Sequence, residues 1–269
     1  MRNKRIFKTL LLGAMLSALS CPATAYAEAG PGVGMTVTAQ QSQDAQQSQD
    51  AQQSQNAQIS TEAAAASMSA ETKVRLASLL KNTETAKKTD QIILVVDHQL
   101  SLWNKNKDGS FTNAFSCYAG YGRNGLRLAA ERQEGDGTTP IGSFPILLAF
   151  GQGENPGTSM TWRKITAQSY WSGEEATYNT WVESAVPIGG EHLQDYTICY
   201  EYAMAVGFNT NPTVYKRGSA IFLHVKNPET WSSSGCVSVE RSMMLSLLSA
   251  CHDGAYIMIV PSEADIAQY

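Results

Sequence analysis

The sequence predicts a mainly β domain of the α+β class, with a few helices. Three observations carry this. Short runs rich in Ile, Val, Leu and Phe recur at 92–96, 143–150, 196–207, 219–225 and 255–260, the texture of buried strands. Asp108-Gly109 lies between the apolar stretches 101–103 and 111–118, which is a hairpin signal. Only one segment of this half has helical spacing, with Met243, Leu245, Leu247 and Leu248 facing inward. Ser238 stands as its N-cap, Glu240 in its first turn and Gly254 past its end.

The elements before this body have other jobs. Arg2, Lys4, Arg5 and Lys8 precede the apolar run Leu10–Leu19, and Ala25-Tyr26-Ala27 follows it. This is the order of an export signal, so residues 1–27 are expected to be removed. The apolar run is shorter than the about 20 residues that a membrane span needs. Cys21 leaves with the signal, because Ala18-Leu19-Ser20 is a poor lipobox. Residues 28–60 are expected to be a flexible linker. Within it Gln40–Gln58 repeats Gln-Gln-Ser-Gln-Asp-Ala without a large apolar side chain, too little to offset chain entropy. Residues 61–88 read as a helix or stalk, with Val74, Leu76, Leu79 and Leu80 at helical spacing. Residues 89–269 are expected to form one domain.

The whole chain has net charge −4. Removing the signal leaves 16 basic against 24 acidic residues. That balance argues against nucleic acid and against an anionic membrane surface as partner. No later stretch is apolar enough to span a bilayer, so a secreted monomer in or near a cell wall is the expectation. Cys117, Cys199, Cys236 and Cys251 remain. There is no C-x-x-C and no zinc-like spacing, so no metal and no cofactor is expected. If Cys236 stays free, at most one disulfide forms among the other three. Cys117 and Cys199 sit in strand-like runs and read as buried thiols.

Gly120-Tyr121-Gly122-Arg123-Asn124-Gly125 spells G-x-G-x-x-G after a strand. A dinucleotide site also needs a following helix and a returning parallel strand. Here the chain runs into Glu134-Gly135-Asp136-Gly137 instead, so a glycine-rich loop beside a cleft is the better reading. The chemistry lies later. An apolar run, Gly218 to His224, delivers a histidine, and Ser233-Ser234-Gly235-Cys236 delivers a thiol 12 residues on. A thiol becomes a strong nucleophile with a base within about 3 Å. A helix starting at Ser238 would further favour the thiolate. His98, His192 and His252 lack such a partner, and a structural cysteine would not need this open turn.

These residues resemble the active-site segment of the YkuD-type L,D-transpeptidases. The resemblance extends over most of Gln91–Ser262. Asp136 to Phe144 is similar to the family's T-P-x-G-x-F stretch; Gly122-Arg123-Asn124-Gly125 and Trp171 with Tyr178-Asn179 are similar to segments of one branch. The commonest family pattern has His before Gly-Cys and Arg or Asn two residues after it; here those are Ser234 and Ser238. The resemblance implies a mixed β-sandwich with a few helices and peptidoglycan stem peptides as partners. It implies Cys236 as nucleophile and His224 as base, oriented by a backbone carbonyl. The oxyanion is expected at the turn Ser233, Ser234 and Gly235, and substrate contacts at Arg123, Tyr178 and Asn179. Two rivals are a sortase-like transpeptidase and a wall-binding module without catalysis. The first needs His and Cys farther apart and an Arg on a later strand, whereas Arg241 falls on the predicted helix.

Overall fold

The computed structural model describes residues 68–269; the expected export signal and Gln-rich linker lie outside them. Helix α1 (Ala70–Lys81) and the short α2 (Thr85–Lys88) come first. The hairpin region follows, with β1 (Gln91–Val96), β2 (Gln99–Lys105) and β3 (Phe111–Tyr118). Then come β4 (Leu126–Leu128), β5 (Thr139–Gly151) and β6 (Trp162–Lys164). A small sheet is built from β7 (Ser169–Ser172), β8 (Trp181–Glu183) and β9 (Gly190–His192). The chain ends with β10 (Tyr202–Val206), β11 (Phe222–Val225), β12 (Val237–Val239), α3 (Arg241–Ala250) and β13 (Tyr256–Val260).

Ten strands form one sheet in the order β12-β11-β10-β5-β13-β1-β2-β3, with β4 and β6 also on β5. Strand β5 makes the sandwich. Its Gly142–Pro145 stretch pairs with β13, and its Ile146–Gly151 stretch pairs with β10. The two halves of the sheet thereby face each other across one core. Ile93, Val95, Leu100 and Leu102 meet Met204, Leu223, Val225, Val237 and Val239 there, beside Met244, Leu247 and Leu248 of α3.

Strand alternation builds the outer layers. Ile92 and Leu94 point the other way from Ile93 and pack with Leu76 and Leu80 of α1. Burying those two leucines is worth about 2 kcal/mol each. Ser69 caps α1 by accepting from Thr72 N at 3.1 Å, and Arg75 bonds Glu263 at 2.6 Å. On the opposite side, Phe222 of β11 packs with Trp171, Leu193, Tyr200 and Cys236.

Several expected elements differ. The strand at 219–225 starts only at Phe222, because Ala220 takes a left-handed backbone (φ 52°) that breaks the ladder. The run from Tyr196 becomes a strand only at Tyr202, so Cys199 lies in a turn. The helix begins at Arg241, with Glu240 rather than Ser238 at its N-cap. Val237 and Val239 are β-branched and pair in parallel with Leu223 and Val225, which holds this stretch as a strand. No disulfide joins the four cysteines among the described residues.

Candidate active site

The period of two explains where the reactive groups sit. On β11, Leu223 and Val225 face the central core, so Phe222 and His224 face away from it, Phe222 against Trp171 of the small sheet and His224 against Tyr200. On β12, Val237 and Val239 face the core, which turns Cys236 and Ser238 to the same side as His224. The parallel register sets His224 beside Ser238 and Leu223 beside Val237. Adjacent strands thus bring His224 and Cys236 to one buried face.

Two polar anchors fix the histidine and the thiol. His224 Nδ1 is 2.7 Å from the Val225 carbonyl oxygen. A carbonyl only accepts, so Nδ1 carries the hydrogen and Nε2 the free lone pair. Burial pushes the imidazole down to about 4, so it is neutral near pH 7. Cys236 Sγ accepts from Phe222 N at 3.3 Å and donates to Ala220 O at 3.2 Å. Burial, and then the charge of Glu191, push its thiol well above the ordinary range. The expected assistance from a helix N-terminus is absent, because α3 starts five residues later and packs on the central core. The resting pair is therefore a neutral thiol and a neutral imidazole.

The turn before the cysteine is tightly tied. Gly235 has φ 146°, and a Cβ there would lie 2.9 Å from Thr138 O and 3.1 Å from Ile221 Cδ1. Only glycine fits this close approach. Ser233 Oγ accepts from Gly235 N at 3.0 Å and donates to Cys236 O at 2.6 Å. The Gly235 N–H expected at the oxyanion position is thus spent inside the turn. Thr139 Oγ1 donates to Gly235 O at 2.7 Å and accepts from Gly122 N at 2.9 Å, tying the glycine-rich loop to the cysteine turn.

The three expected substrate contacts have different places. Arg123 Nη1 donates to Ser234 Oγ at 2.9 Å and borders an open cleft of about 430 Å³. Tyr118, Tyr121, Trp231 and the glycines of the G-x-G-x-x-G stretch line that cleft. Tyr178 is buried; its hydroxyl donates to Glu134 and accepts from Gly218 N at 3.2 Å. Asn179 is buried too. Its Oδ1 accepts from Trp171 Nε1 at 2.8 Å and Ala220 N at 3.1 Å, and its Nδ2 donates to the Phe208 and Asn209 carbonyls at 2.9 Å each. All four hydrogen-bonding positions of the amide are used. Asn179 thereby clamps Ala220, whose carbonyl holds the thiol.

Three residues were not foreseen. Arg132 is buried, bonds Asp136 at 2.8 Å, and fills the space against Gly235 and Gly218. Tyr200 stands edge-on to His224, with ring centroids 5.7 Å apart. Its hydroxyl donates to Glu191 Oε2 at 2.5 Å. The segment Trp171–Trp181 begins with the end of β7 and packs Trp171 against Phe222, with ring centroids 4.9 Å apart.

A cysteine and a neutral histidine thus share one face of a folded mixed sheet. The profile of the L,D-transpeptidase catalytic domain, YkuD, matches residues 90–260, and the chain belongs to that family. No curated protein sequence matches it. Among solved structures it is similar to the helical cell shape determining protein Pgp2 from Campylobacter jejuni, with 14% identity and a TM-score of 0.38, over 71% of this chain and 55% of that one. It is similar to an L,D-transpeptidase from Stackebrandtia nassauensis, with 14% identity and a TM-score of 0.31, over 70% and 66%. The catalytic domain of the E. faecium L,D-transpeptidase shares 14% identity with a TM-score of 0.29, over 64% of this chain and 96% of that one. The chain thus spans about half the length of the Pgp2 structure. No helix among the described residues is long and apolar enough to cross a membrane.

Proposed function

We propose that this protein is an exported L,D-transpeptidase that forms 3→3 cross-links in peptidoglycan through a thioester on Cys236. The observation that carries the reading is the Val225 carbonyl, which holds the proton on His224 Nδ1 and leaves the Nε2 lone pair free on the strand next to Cys236. Cys236 Sγ attacks the carbonyl of the third stem residue, a diamino acid, in a donor tetrapeptide. The thiol proton passes to His224 Nε2 as the S–C bond forms. The C–N bond to D-alanine then breaks, and the same proton goes to the leaving amine. An amine of a second stem attacks the thioester, forms the cross-link and returns the thiol.

The neutral ground state suits this order. A buried thiolate would be costly before substrate arrives, and the proton moves only when the carbonyl accepts the sulfur. The protein acts at the cell wall after loss of residues 1–27 and works as a monomer. Arg123 meets a stem carboxylate in this reading, which its position at the open cleft beside Ser234 supports. Mass spectrometry of muropeptides incubated with the protein tests the reading. Dimers linked 3→3 are expected with the wild type and none with Cys236→Ala; an unchanged tetrapeptide pool with the wild type overturns it.

A further inference from the structure

The wall of the site opposite the two strands carries two carboxylates that the reaction so far does not use. Glu191 comes from β9 of the small sheet and accepts the Tyr200 hydroxyl at 2.5 Å. Glu134 comes from the turn before β5 and accepts the Tyr178 hydroxyl. Tyr200 ties Glu191 to the reacting pair: its ring meets His224 at 5.7 Å and Phe222 at 5.3 Å, and Phe222 N bonds the Cys236 sulfur at 3.3 Å. Neither carboxylate has a Lys or Arg partner among the described ion pairs. Each carboxylate is held by a tyrosine, and the Arg132 guanidinium nearby is spent on Asp136.

The second half of the proposed reaction brings a cation. A primary amine enters as an ammonium ion near neutral pH and has no lone pair with which to attack. We propose that Glu191 is a further catalytic residue of this site: its carboxylate receives the acceptor amine as an ammonium ion and removes its proton before the thioester is attacked. One N–H proton goes to Glu191. The neutral amine forms the N–C bond, the C–S bond breaks, and the second N–H proton reaches the departing sulfur through His224. Glu191 then releases its proton to solvent. Product amide, free thiol and one proton balance the ammonium and thioester consumed.

The ionisation of Glu191 fits the task. Its carboxyl is buried, and burial, with the charge of Glu134 behind it, raises it to about 7, against the Tyr200 hydrogen bond that lowers it. A base is most effective when its pKa lies near the working pH. The titratable groups facing it are Tyr200 and Tyr196 from the turn before β10, Glu134 from the turn before β5, and Cys236 beside β12.

This inference rests on the transpeptidase reading, and the test separates the two. The full chain and Glu191→Gln are given a tetrapeptide donor, then either a stem amine or hydroxylamine, a weakly basic amine already neutral near pH 7. We expect Glu191→Gln to form the acyl-enzyme within about threefold of the wild-type rate and to discharge to hydroxylamine equally fast. Transfer to the stem amine should fall at least about 100-fold, the usual scale of general acid–base catalysis. Transfer at the wild-type rate overturns the proposal, as does an equal loss of acylation and of both discharges. Tyr200→Phe keeps the ring and removes the bond that favours the ionised carboxylate. Its acidic limb for aminolysis should move to higher pH while that for acylation stays; an unmoved aminolysis limb overturns the proposal. If the wild type forms no acyl-enzyme, the transpeptidase reading itself fails.

Discussion

Strands β11 and β12 have two faces with opposite chemistry. One face carries Leu223, Val225, Val237 and Val239, all aliphatic and all in the central core. The other carries Phe222, His224, Cys236 and Ser238, aromatic or polar, with Phe222 and Cys236 packed against Trp171 and Trp181 of the small sheet. Neighbouring residues in sequence thus have separate tasks, one set cohesion and the other reaction. The reactive groups gain precision from this arrangement, since each is held by a backbone that its aliphatic neighbours fix in place. They also lose charge: the same burial that orders them keeps the thiol protonated and the imidazole neutral.

Substitutions on the two faces should separate cleanly. The largest effect is Cys236→Ala on the reactive face. We expect at least about a 10³-fold loss of transfer, as when other acyl-transfer nucleophiles are removed, with the thermal transition within a few degrees of wild type. A folded variant that still cross-links muropeptides breaks the division. Leu223→Ala, one position from His224, should do the reverse. It should cost about 3 kcal/mol in denaturant unfolding while the folded fraction keeps its turnover within a few-fold.

Asn179→Ala probes the junction of the two regions. It strips partners from Trp171 Nε1, Ala220 N and two carbonyls, so a loss of about 2 kcal/mol is expected. Its acylation rate should fall with little change in donor KM, since the amide contacts protein. A rise in KM alone would restore the substrate-contact role.

The fourth effect concerns pH and is nil near neutrality. His224 has a folded value of about 4, below its ordinary 6.5. As pH falls, the unfolded chain takes up the proton first, so the stability due to the neutral imidazole is complete above about 6.5. It is then lost toward 4, at no more than about 1.4 kcal/mol per pH unit. His224→Gln should flatten that slope in urea titrations from pH 7 to 4. The smallest effect is expected for a chain beginning at Met68, which keeps α1 and its buried Leu76 and Leu80 and should match full-length activity on soluble muropeptides. Starting at Thr89 instead removes that packing and should lower the unfolding midpoint.

The comparison of faces also explains what the sequence could reveal. β1 and β13 were legible as unbroken apolar runs, and the hairpin from Asp108-Gly109, where Gly109 has φ 80°. Cys236 and His224 stood out as residue types because chemistry-bearing side chains interrupt an aliphatic pattern. Their protonation was not legible. Proximity to a helix start suggested a lowered thiol value, but Val237 and Val239 pair as strand and move the helix away. Burial is a tertiary property that no local spacing encodes. Tyr200 and Glu191 were missed for the same reason: β9 is three residues long, and nothing in its sequence indicates which side chains lie above it. Asn179 was noticed through resemblance, whereas its left-handed backbone (φ 60°) and four internal bonds appear only in the folded chain.

The central claim is that Cys236 is acylated with neutral His224 as its base. It is tested most directly by intact-mass and peptide-mapping spectrometry of the protein mixed with a tetrapeptide donor and quenched in acid. We predict an adduct of the donor less D-alanine, confined to the peptide carrying Cys236 and labile to hydroxylamine, that His224→Ala does not form at a measurable rate. An adduct on another residue, or equal acylation in His224→Ala, would contradict the account.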